Sequence, residues 1–300
     1  MVDPKLITLL KVADTGNHTR AAEELSLTQP AVSQHIKQLE KELGIHIFNR
    51  VGGRLKPTQE GAIAIDYARR ITTLYTNLTQ ELMDNRRKIS RLRVGITHTS
   101  ESNVVTEALA QYSHQREGVI ITIRTDTINN LYEMLRKFEV DLAIVEGNVS
   151  DPDISSLLLD TDFLVLALSK DHPLAQKSMV TINELRNEKM ILRLPDSGTR
   201  NLFVAHLESH NMSLDDFNVV LEVDNIATIK DLIRRNYGVS ILAKSACMDE
   251  VKKGKLAVLP VENLTMVREV NILYHRTFRH TEILRDFVHT YNVAAKMEHA

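Results

Sequence analysis

The stretch 19–50 reads TRAAEELSLTQPAVSQHIKQLEKELGIHIFNR, and its pattern decides the fold of the N-terminal part of the chain. A short helix is predicted first, with the apolar positions Ala21, Ala22 and Leu25. A second helix is predicted to open at Thr28, a good N-cap, with Pro30 in its first turn, where proline is tolerated. Gly44 is predicted to end it, since glycine commonly follows the last turn of a helix. Two short helices that meet at a turn indicate a helix-turn-helix.

The second predicted helix has an apolar face and a polar face. Helical spacing relates its apolar residues, which are Ala31, Val32, Ile36, Leu39 and Leu43. Four polar residues fall away from that stripe, namely Gln29, Ser33, Gln34 and Lys37. Neutral hydrogen-bonding side chains near a helix N-terminus suit contacts with base edges, and a lysine suits a phosphate. The alternative is a structural helical hairpin with a polar surface.

The same stretch resembles a known family. The run T-R-A-A-E-x-L, followed by T-Q-P-A-V-S-x-x-I-x-x-L-E-x-x-L-G-x-x-x-F-x-R, closely resembles the N-terminal domain of LysR-type transcriptional regulators. It fixes many residue types at set spacings, whereas an isolated helix-turn-helix pattern is a weak signal. The resemblance implies binding to double-stranded DNA. The candidate DNA-contacting residues are Thr19, Thr28, Gln29, Pro30, Ser33, Gln34, Lys37, Arg50 and Arg54.

Length and composition fit a soluble protein of more than one domain. A chain of 300 residues allows two or more folding units, and 43% apolar with 25% charged residues is ordinary for a globular protein. No apolar stretch approaches the roughly 20 residues that span a bilayer. Because the N-terminus has no secretion signal and Cys247 is the single cysteine, we expect a cytoplasmic protein without disulfides or a structural zinc site.

Charge is unevenly distributed along the chain. The net charge is −2, but residues 1–90 carry +3 and residues 91–300 carry −5. The basic excess coincides with the helix-turn-helix, as attraction to DNA phosphates requires. Because the excess is modest, the sequence predicts salt-sensitive DNA binding that depends on dimer geometry as well as on charge.

Further elements surround the helix-turn-helix. A first helix is predicted over Pro4–Asp14, with a buried stripe of Leu6, Ile7, Leu10, Val12 and Ala13. Ile45–Thr58 has short apolar segments around Gly52 and Gly53, which predict a two-stranded wing. Its basic residues would lie beside the DNA backbone or in the minor groove, or would simply be solvated; they are Arg50, Arg54 and Lys56. Pro57 stands where the family normally has leucine, a small departure.

A single long helix is predicted from Thr58 to about Arg87, roughly 30 residues or about 45 Å. Apolar residues recur along it at near-heptad spacing, at Ala62, Ile65, Ala68, Ile71, Tyr75, Leu78 and Leu82. Such a helix cannot bury this stripe against a small winged domain alone, so a homodimer through paired linker helices is expected, as the resemblance also implies. The alternative is packing onto the chain's own C-terminal domain.

Beyond Leu92, short β-branched runs alternate with helical ones, which predicts parallel sheets covered by helices. This part resembles the two-lobed α/β effector domain of the same family, which is similar to periplasmic solute-binding proteins. The predicted fold is a multidomain α/β one. It comprises a winged helix-turn-helix domain (1–58), a linker and dimerisation helix (59–89) and an effector-binding domain (90–300). Lobe one is placed at 91–161 and 268–300, and lobe two at 162–267.

Hydroxyl, amide and acidic residues cluster where the predicted strands end. Open α/β sheets bind ligands beyond the carboxyl ends of their strands, and helix N-termini with nearby hydroxyls suit an anion. The candidate effector-binding residues are Thr97, His98, Thr99, Ser100, Ser102, Thr127, Asn129, Glu146, Pro195, Ser197, Gly198, Thr199, Asp224 and Asn225. The alternative is that several of them are ordinary helix caps. His98 could make the site pH-sensitive or be a polar loop side chain.

The expected effector is a small anionic or zwitterionic co-inducer, with no cofactor and no metal. Glu101, Glu146 and Asp224 argue against a strongly anionic molecule, whereas a zwitterion would use both charge types. The strings DLAIVEG (141–147) and SGTR (197–200) resemble a subgroup with regulators of sulfur assimilation and carbon fixation. The loop at 97–101 departs from that subgroup, so the resemblance does not identify the effector.

Other classes of function use only part of the chain. Nucleophile-elbow, phosphate-loop and dinucleotide-binding motifs are missing from the sequence, so an enzyme is not expected. A solute-binding protein leaves the first 90 residues without a role, and a DNA-architectural protein leaves the rest without one. A ligand-gated transcription factor uses both parts. The resemblance further implies an inverted-repeat operator, a homotetramer built through the effector domains and contact with RNA polymerase.

Overall fold

The computed structural model describes residues 2–100, 104–147, 151–195, 197–278 and 280–299. The backbone falls into two compact units. Residues up to 90, with the short segment 136–139, form the first, and residues 91–135 with those from 140 onward form the second. Within the described residues, no helix is both long enough and apolar enough to cross a membrane.

The first unit is a helix-turn-helix followed by a hairpin and a long helix. Its elements are α1 Pro4–Thr15, α2 His18–Leu25, α3 Gln29–Leu43, β1 Phe48–Val51, β2 Arg54–Pro57 and α4 Gln59–Arg86. β1 and β2 pair antiparallel, which confirms the predicted wing hairpin. Thr28 caps α3 by accepting a hydrogen bond from the backbone N–H of Ala31, and Gly44 ends α3 with φ +68°. Both ends of α3 are therefore as predicted.

The core of the first unit joins all four of these helices. It consists of Leu9, Val12, Ala21, Ala22, Val32, Ile36, Leu39, Ile47, Ile65 and Ala68. Two residues predicted to be buried are exposed, Ile7 at 45% and Leu43 at 52%. Leu9, and not Ile7, shares the inward face of α1 with Val12, because residues three apart lie on the same side of a helix. Leu43 lies in the last turn of α3, beyond the core position Leu39.

The start of α4 packs closely against the chain before the wing. Thr58 Oγ1 accepts a hydrogen bond from Gly61 N at 2.8 Å and donates one to the carbonyl of His46 at 2.6 Å. A Cβ at Gly61 would lie only 2.0 Å from the carbonyl oxygen of Ile47. Glycine is therefore required there by the close approach of two backbones. Ile65 and Ala68 join the helix-turn-helix core, whereas the other residues of the predicted α4 stripe stay exposed, at Ala62, Ile71, Tyr75, Leu78 and Leu82.

The second unit is an α/β domain. Its elements are β3 Ser90–Ile96, α5 Val104–His114, β4 Val119–Thr125, α6 Ile128–Arg136, β5 Leu142–Glu146, β6 Ile154–Ser169, α7 Ile182–Arg186, β7 Lys189–Leu192, α8 Gly198–Ser209, β8 Asn218–Glu222, α9 Ile226–Arg234, β9 Ser240–Ala243, α10 Met248–Lys252, β10 Leu256–Leu259, β11 Val267–His275 and α11 Thr281–His299. Strands and helices alternate as predicted, and β6 is a long strand of 16 residues.

The main sheet is mixed, so the expectation of wholly parallel sheets was wrong. Its strand order is β10-β6-β11-β5-β3-β4, with β9 also paired to β6. β3 and β5 are parallel, but β11 runs antiparallel to both β5 and β6. The antiparallel pairs of β11 arise because the chain returns through it into the gap between β5 and β6. β9 and β10 also pair antiparallel with β6. A separate parallel pair joins β7 and β8.

Each of the two lobes of this domain is built around a large hydrophobic core. One core holds Leu92, Ile144, Leu159, Val270 and Phe287 among others, and α11 packs on α5 there. The other holds residues such as Leu164, Leu192, Phe203, Ile241 and Met266. β6 and β11 pass from one core to the other. The change falls between Leu159 and Leu164 in β6, and between Met266 and Val270 at β11.

Candidate functional site

The polar face of α3 lies at the surface of the first unit. Gln29, Pro30, Gln34 and Lys37 are exposed and Ser33 is half-buried. Gln29 Nε2 donates to Ser33 Oγ at 2.8 Å, so the first two turns of α3 carry one linked pair of polar side chains. This face has the neutral donors and acceptors that reading of base edges requires. Thr28, at the N-cap, and Thr19, in the first turn of α2, are exposed as well.

His18, the first residue of α2, contacts this face of α3. The Nδ1 atom of His18 lies 3.0 Å from Ser33 Oγ. Burial, followed by the positive charge of Arg50, lowers the pKa of the His18 imidazole. A neutral imidazole is therefore favoured beside Ser33. Sequence reasoning missed His18, because its role depends on packing between α2 and α3.

The wing presents basic side chains to solvent. Arg50 lies on β1 opposite Leu55, and Arg54 lies on β2 opposite Val51. Arg50, Arg54 and Lys56 are exposed. Gly52 and Gly53, both with positive φ, form the turn between the strands. These charges can approach phosphates or a minor groove without first breaking an ion pair that the structure records.

The second unit has a cavity of about 100 Å³ between its lobes, here called the cleft. Eight of the candidate effector-binding residues line it, namely Thr97, His98, Thr99, Thr127, Glu146, Ser197, Gly198 and Asp224. The lobe-one residues follow or end the strands β3, β4 and β5, and the lobe-two residues follow β7 and β8. The cleft therefore lies at the carboxyl ends of parallel strands, where open α/β sheets bind ligands.

The other candidates lie elsewhere. Ser100 is buried behind Thr97, and Thr199 is buried and accepts a hydrogen bond from Arg268. Asn129, Pro195 and Asn225 are exposed and do not line the cleft. Ser102 and Glu101 lie outside the described residues.

Some of the candidate effector-binding residues are ordinary helix caps, as the alternative interpretation predicted, and others are not. Asn225 caps α9 by accepting from Thr228 N, and Thr127 Oγ1 accepts weakly from Asn130 N at 3.4 Å. Ser197 occupies the N-cap position of α8, but its side chain makes no capping hydrogen bond. The Ser197 hydroxyl and the first-turn N–H groups of α8 are therefore available to a molecule in the cleft.

Four lining residues are not among the candidate effector-binding residues, although three of them, Asp126, Ile128 and Leu194, belong to the polar segments at the strand ends; the fourth is Arg193. Arg193 is the most consequential, since its residue is 3% exposed and its Nη2 lies 3.3 Å from Asp224 Oδ1. A sequence signal was available, because Arg193 directly follows the apolar run Met190–Leu192 and places a charge at the end of a buried strand.

A buried polar network forms the floor of the cleft and joins the lobes. Glu146 Oε1 accepts from Thr97 Oγ1 at 2.8 Å and lies 3.8 Å from Arg268 Nη2. Arg268 on β11 also pairs with Asp162 on β6 at 3.2 Å. Asp162 in turn accepts from Ser245 Oγ of lobe two at 2.8 Å. Arg268 thus connects the cleft to both crossing strands.

The described part of the chain records neither a metal-binding cluster nor a reactive thiol. There, no group of three or more His, Cys, Asp or Glu side chains could hold a metal ion. Burial raises the pKa of the Cys247 thiol to about 12, so it is a packed, unreactive thiol.

Comparison with known families agrees with this geometry. A family model described as "LysR substrate binding domain" matches residues 85–293, and one described as "Bacterial regulatory helix-turn-helix protein, lysR family" matches residues 5–62. The chain belongs to the LysR family of transcriptional regulators. It is therefore a DNA-binding regulator with an effector-binding domain, and not an enzyme.

Relatives cover nearly the whole chain. This LysR regulator is 29% identical over 278 residues to the HTH-type transcriptional activator CmpR of Synechocystis sp., with 92% of this chain and 90% of CmpR covered. It is 23% identical over 284 residues to the HTH-type transcriptional regulator CysL of Bacillus subtilis, with 94% of each chain covered.

Solved structures share its fold. Full-length CbnR in complex with its target DNA superposes with a TM-score of 0.69 at 17% identity, over 98% of this chain and 100% of that one. The regulatory domain of CcmR from Synechocystis PCC6803, in complex with 2-PG, gives a TM-score of 0.60 at 22% identity, over 69% of this chain and 98% of that one.

Proposed function

We propose that this regulator reads an inverted-repeat operator as a homodimer, or as a tetramer of two such dimers, and that a small polar effector in the cleft changes how it holds that DNA. The observation that carries the proposal is the pairing, in one chain, of an exposed polar face on α3 with a charged cleft between two lobes. Either feature alone would fit a simpler protein.

The DNA half rests on α3 and the wing. The exposed amide of Gln29 suits a base edge, and Lys37 and Arg54 suit phosphates. CbnR, a structural relative, has been solved with its target DNA, which supports the same use of this fold here. A dimer would place two copies of α3 in successive major grooves, about 34–36 Å apart.

The dimer rests on the exposed face of α4. Ile65 and Ala68 enter the core, but on another face of α4 apolar side chains between 45% and 59% exposed recur three or four residues apart, at Ile63, Tyr67, Ile71, Leu74, Leu78 and Leu82. An apolar stripe of this length is unusual on a solvent-exposed helix, and a second copy of α4 would cover it.

The effector half rests on the cleft. It is lined from both lobes, so a bound molecule would favour one relative placement of the lobes over another. An effector can shift DNA binding only as far as it prefers one such arrangement. RNA polymerase is the partner through which the altered complex would change transcription.

The proposal is tested by selecting binding sites for the full-length protein from random DNA. Wild type is expected to enrich an inverted repeat, and Gln29→Ala to lose preference at one base position, at a loss of about 1–3 kcal/mol. Gln38→Ala, an exposed glutamine of the same helix but away from its N-terminus, serves as the matched control and should enrich the wild-type site. Selection without any sequence enrichment would contradict the proposal.

A further inference from the structure

The charges that line the cleft do not balance. Among its described lining residues, Asp126, Glu146 and Asp224 are acidic and Arg193 is the one arginine or lysine. Arg193 pairs with Asp224 at 3.3 Å. Asp126 and Glu146 are therefore left without a cation in the described lining, and both belong to lobe one.

Of the two, Glu146 has the greater need of a compensating positive charge, because it is only 8% exposed. Its contacts with described residues all go to Oε1, from Thr97 at 2.8 Å, Ser100 at 3.4 Å and Arg268 at 3.8 Å. The same guanidinium lies closer to Asp162, at 3.2 Å. One arginine thus serves two buried carboxylates, which leaves a net negative charge in a poorly hydrated place. Such a charge favours a cationic partner.

Asp126 also lines the cleft, and its recorded hydrogen bonds likewise all go to one carboxylate oxygen. Its Oδ1 accepts from Thr127 N at 2.8 Å and from Asn130 Nδ2 at 2.7 Å. Hydrogen bonds from described residues therefore occupy Oδ1 and leave Oδ2 for a bound molecule. Neutral donors do not cancel its charge, so lobe one contributes two carboxylates to the lining of the cleft.

The wall from lobe two differs, because Asp224 already balances the charge of Arg193 there and the remaining polar groups are neutral donors. The cleft meets Arg193, Ser197 and Gly198 there, at the start of the twelve-residue helix α8. A guanidinium, a hydroxyl that caps nothing and the N–H groups of a helix N-terminus together suit a carboxylate. The two walls thus call for opposite charges on one molecule.

We infer that the effector is a short zwitterion, an α-amino acid or a close analogue, with its ammonium group at Glu146 and Asp126 and its carboxylate at Arg193 and Ser197. The inference rests on the proposed effector site and specifies what occupies it. The volume of about 100 Å³ suits a small ligand. A simple dianion that spans the cleft would place one of its negative charges beside the carboxylates of lobe one.

The test uses the full-length protein. Each amino acid is compared with two probes, each of which lacks one of its two charged groups. Glycine, L-alanine and L-serine are each compared with the hydroxy acid that lacks the ammonium group (glycolate, lactate or glycerate) and the amine that lacks the carboxylate (methylamine, ethylamine or ethanolamine). Sulfate and phosphate complete the set. Thermal shift identifies binders and calorimetry gives their dissociation constants. At least one amino acid is expected to bind at least tenfold more tightly than both of its partners.

Single substitutions in the two walls test which end of the ligand each wall binds. Asp126→Asn and Ser197→Ala are each expected to weaken amino-acid binding at least tenfold, and Asp126→Asn to improve binding of the hydroxy acid. Asp171→Asn, at an exposed aspartate outside the cleft, should leave the dissociation constant unchanged.

Three results would overturn the inference. Hydroxy acids, sulfate or phosphate could bind as tightly as the amino acids, with binding lost in Ser197→Ala, which would keep the cleft site but refute the zwitterion. Amino-acid binding could be the same in Asp126→Asn as in wild type, which would refute the placement of the ammonium group. No shift with any amino acid of the set would refute the class of ligand. Failure of the proposed function is a separate outcome, in which a ligand binds the cleft but DNA binding does not change.

Discussion

At the scale of single residues, Arg268 holds together the floor of the cleft. It lies between Asp162 and Glu146, and all three are at least nine-tenths buried. Removing the one cation leaves two buried carboxylates uncompensated. Arg268→Met is therefore expected to lower the free energy of unfolding of the effector domain by about 3–5 kcal/mol, measured by urea unfolding. Arg276→Met, at an exposed arginine just past the end of β11, should change it by less than about 0.5 kcal/mol. Equal midpoints for both variants would contradict this role.

His18 gives the DNA-binding unit a pH dependence whose sign follows from its environment. Its pKa is lowered by burial and by Arg50, whereas an unfolded histidine has a pKa of about 6.5. The unfolded state then binds the proton more readily, so stability is full above about pH 6.5 and falls as the pH drops below it. Because the ring is partly exposed, the effect is a modest one.

Thermal unfolding between pH 8 and pH 5 measures this dependence. We expect the thermal unfolding midpoint of His18→Gln to fall less on acidification than that of wild type. The control His114→Gln, at an exposed histidine of the second unit, should show the same fall as wild type. Identical acid profiles for wild type and His18→Gln would show that His18 does not carry the effect.

At the scale of elements, the junction between the wing and α4 depends on one glycine. A Cβ at Gly61 would come within 2.0 Å of the Ile47 carbonyl oxygen, so the helix must shift. Gly61→Ala is expected to destabilise the first unit by about 1–3 kcal/mol, although alanine is the better helix former. In Gly44→Ala there is open space and only the positive φ is strained, so a loss of about 1 kcal/mol is expected. Urea unfolding of both variants checks the order, and a stabilised Gly61→Ala would contradict the packing.

The exposed stripe of α4 makes a prediction about assembly. Burying a leucine contributes about 1.5–3 kcal/mol, so replacing two of them with glutamate should break a helix pair. Leu78→Glu with Leu82→Glu is expected to halve the molar mass measured by light scattering. Thr76→Glu, on another face of α4, adds a charge at an exposed position and should leave the mass unchanged. An unchanged mass for the double variant would place the dimer contact elsewhere.

The elements show how far the sequence could predict this fold. The limits of α3 depend on Thr28 and Gly44, which act locally, and both were predictable. The direction of β11 was not, because the pairing of Val270 with Glu146 joins residues far apart in the chain. The cleft was likewise predictable only in part. Hydroxyl residues at strand ends were predictable, whereas Arg268 and Asp162 become partners only through the pairing of β6 with β11.

At the scale of the whole molecule, the proposed function couples a cleft in one unit to DNA binding by the other. Arg268 and Asp162 lie on the two strands that connect the lobes, and Glu146 joins that pair to the cleft. A ligand that draws on the charge of Glu146 therefore acts on the connection between the lobes. Nothing in the DNA-binding unit needs to touch the ligand for the two to be coupled, provided that the ligand binds one arrangement more tightly.

The most direct test of this claim is the footprint of the full-length protein on its selected operator, with and without saturating ligand. We predict that the ligand changes the protected length or the DNA bend in wild type, and that Asp126→Asn at the same ligand concentration keeps the ligand-free footprint. An identical footprint and bend in wild type, with the cleft shown by calorimetry to be saturated, would contradict the claim that the cleft governs DNA binding.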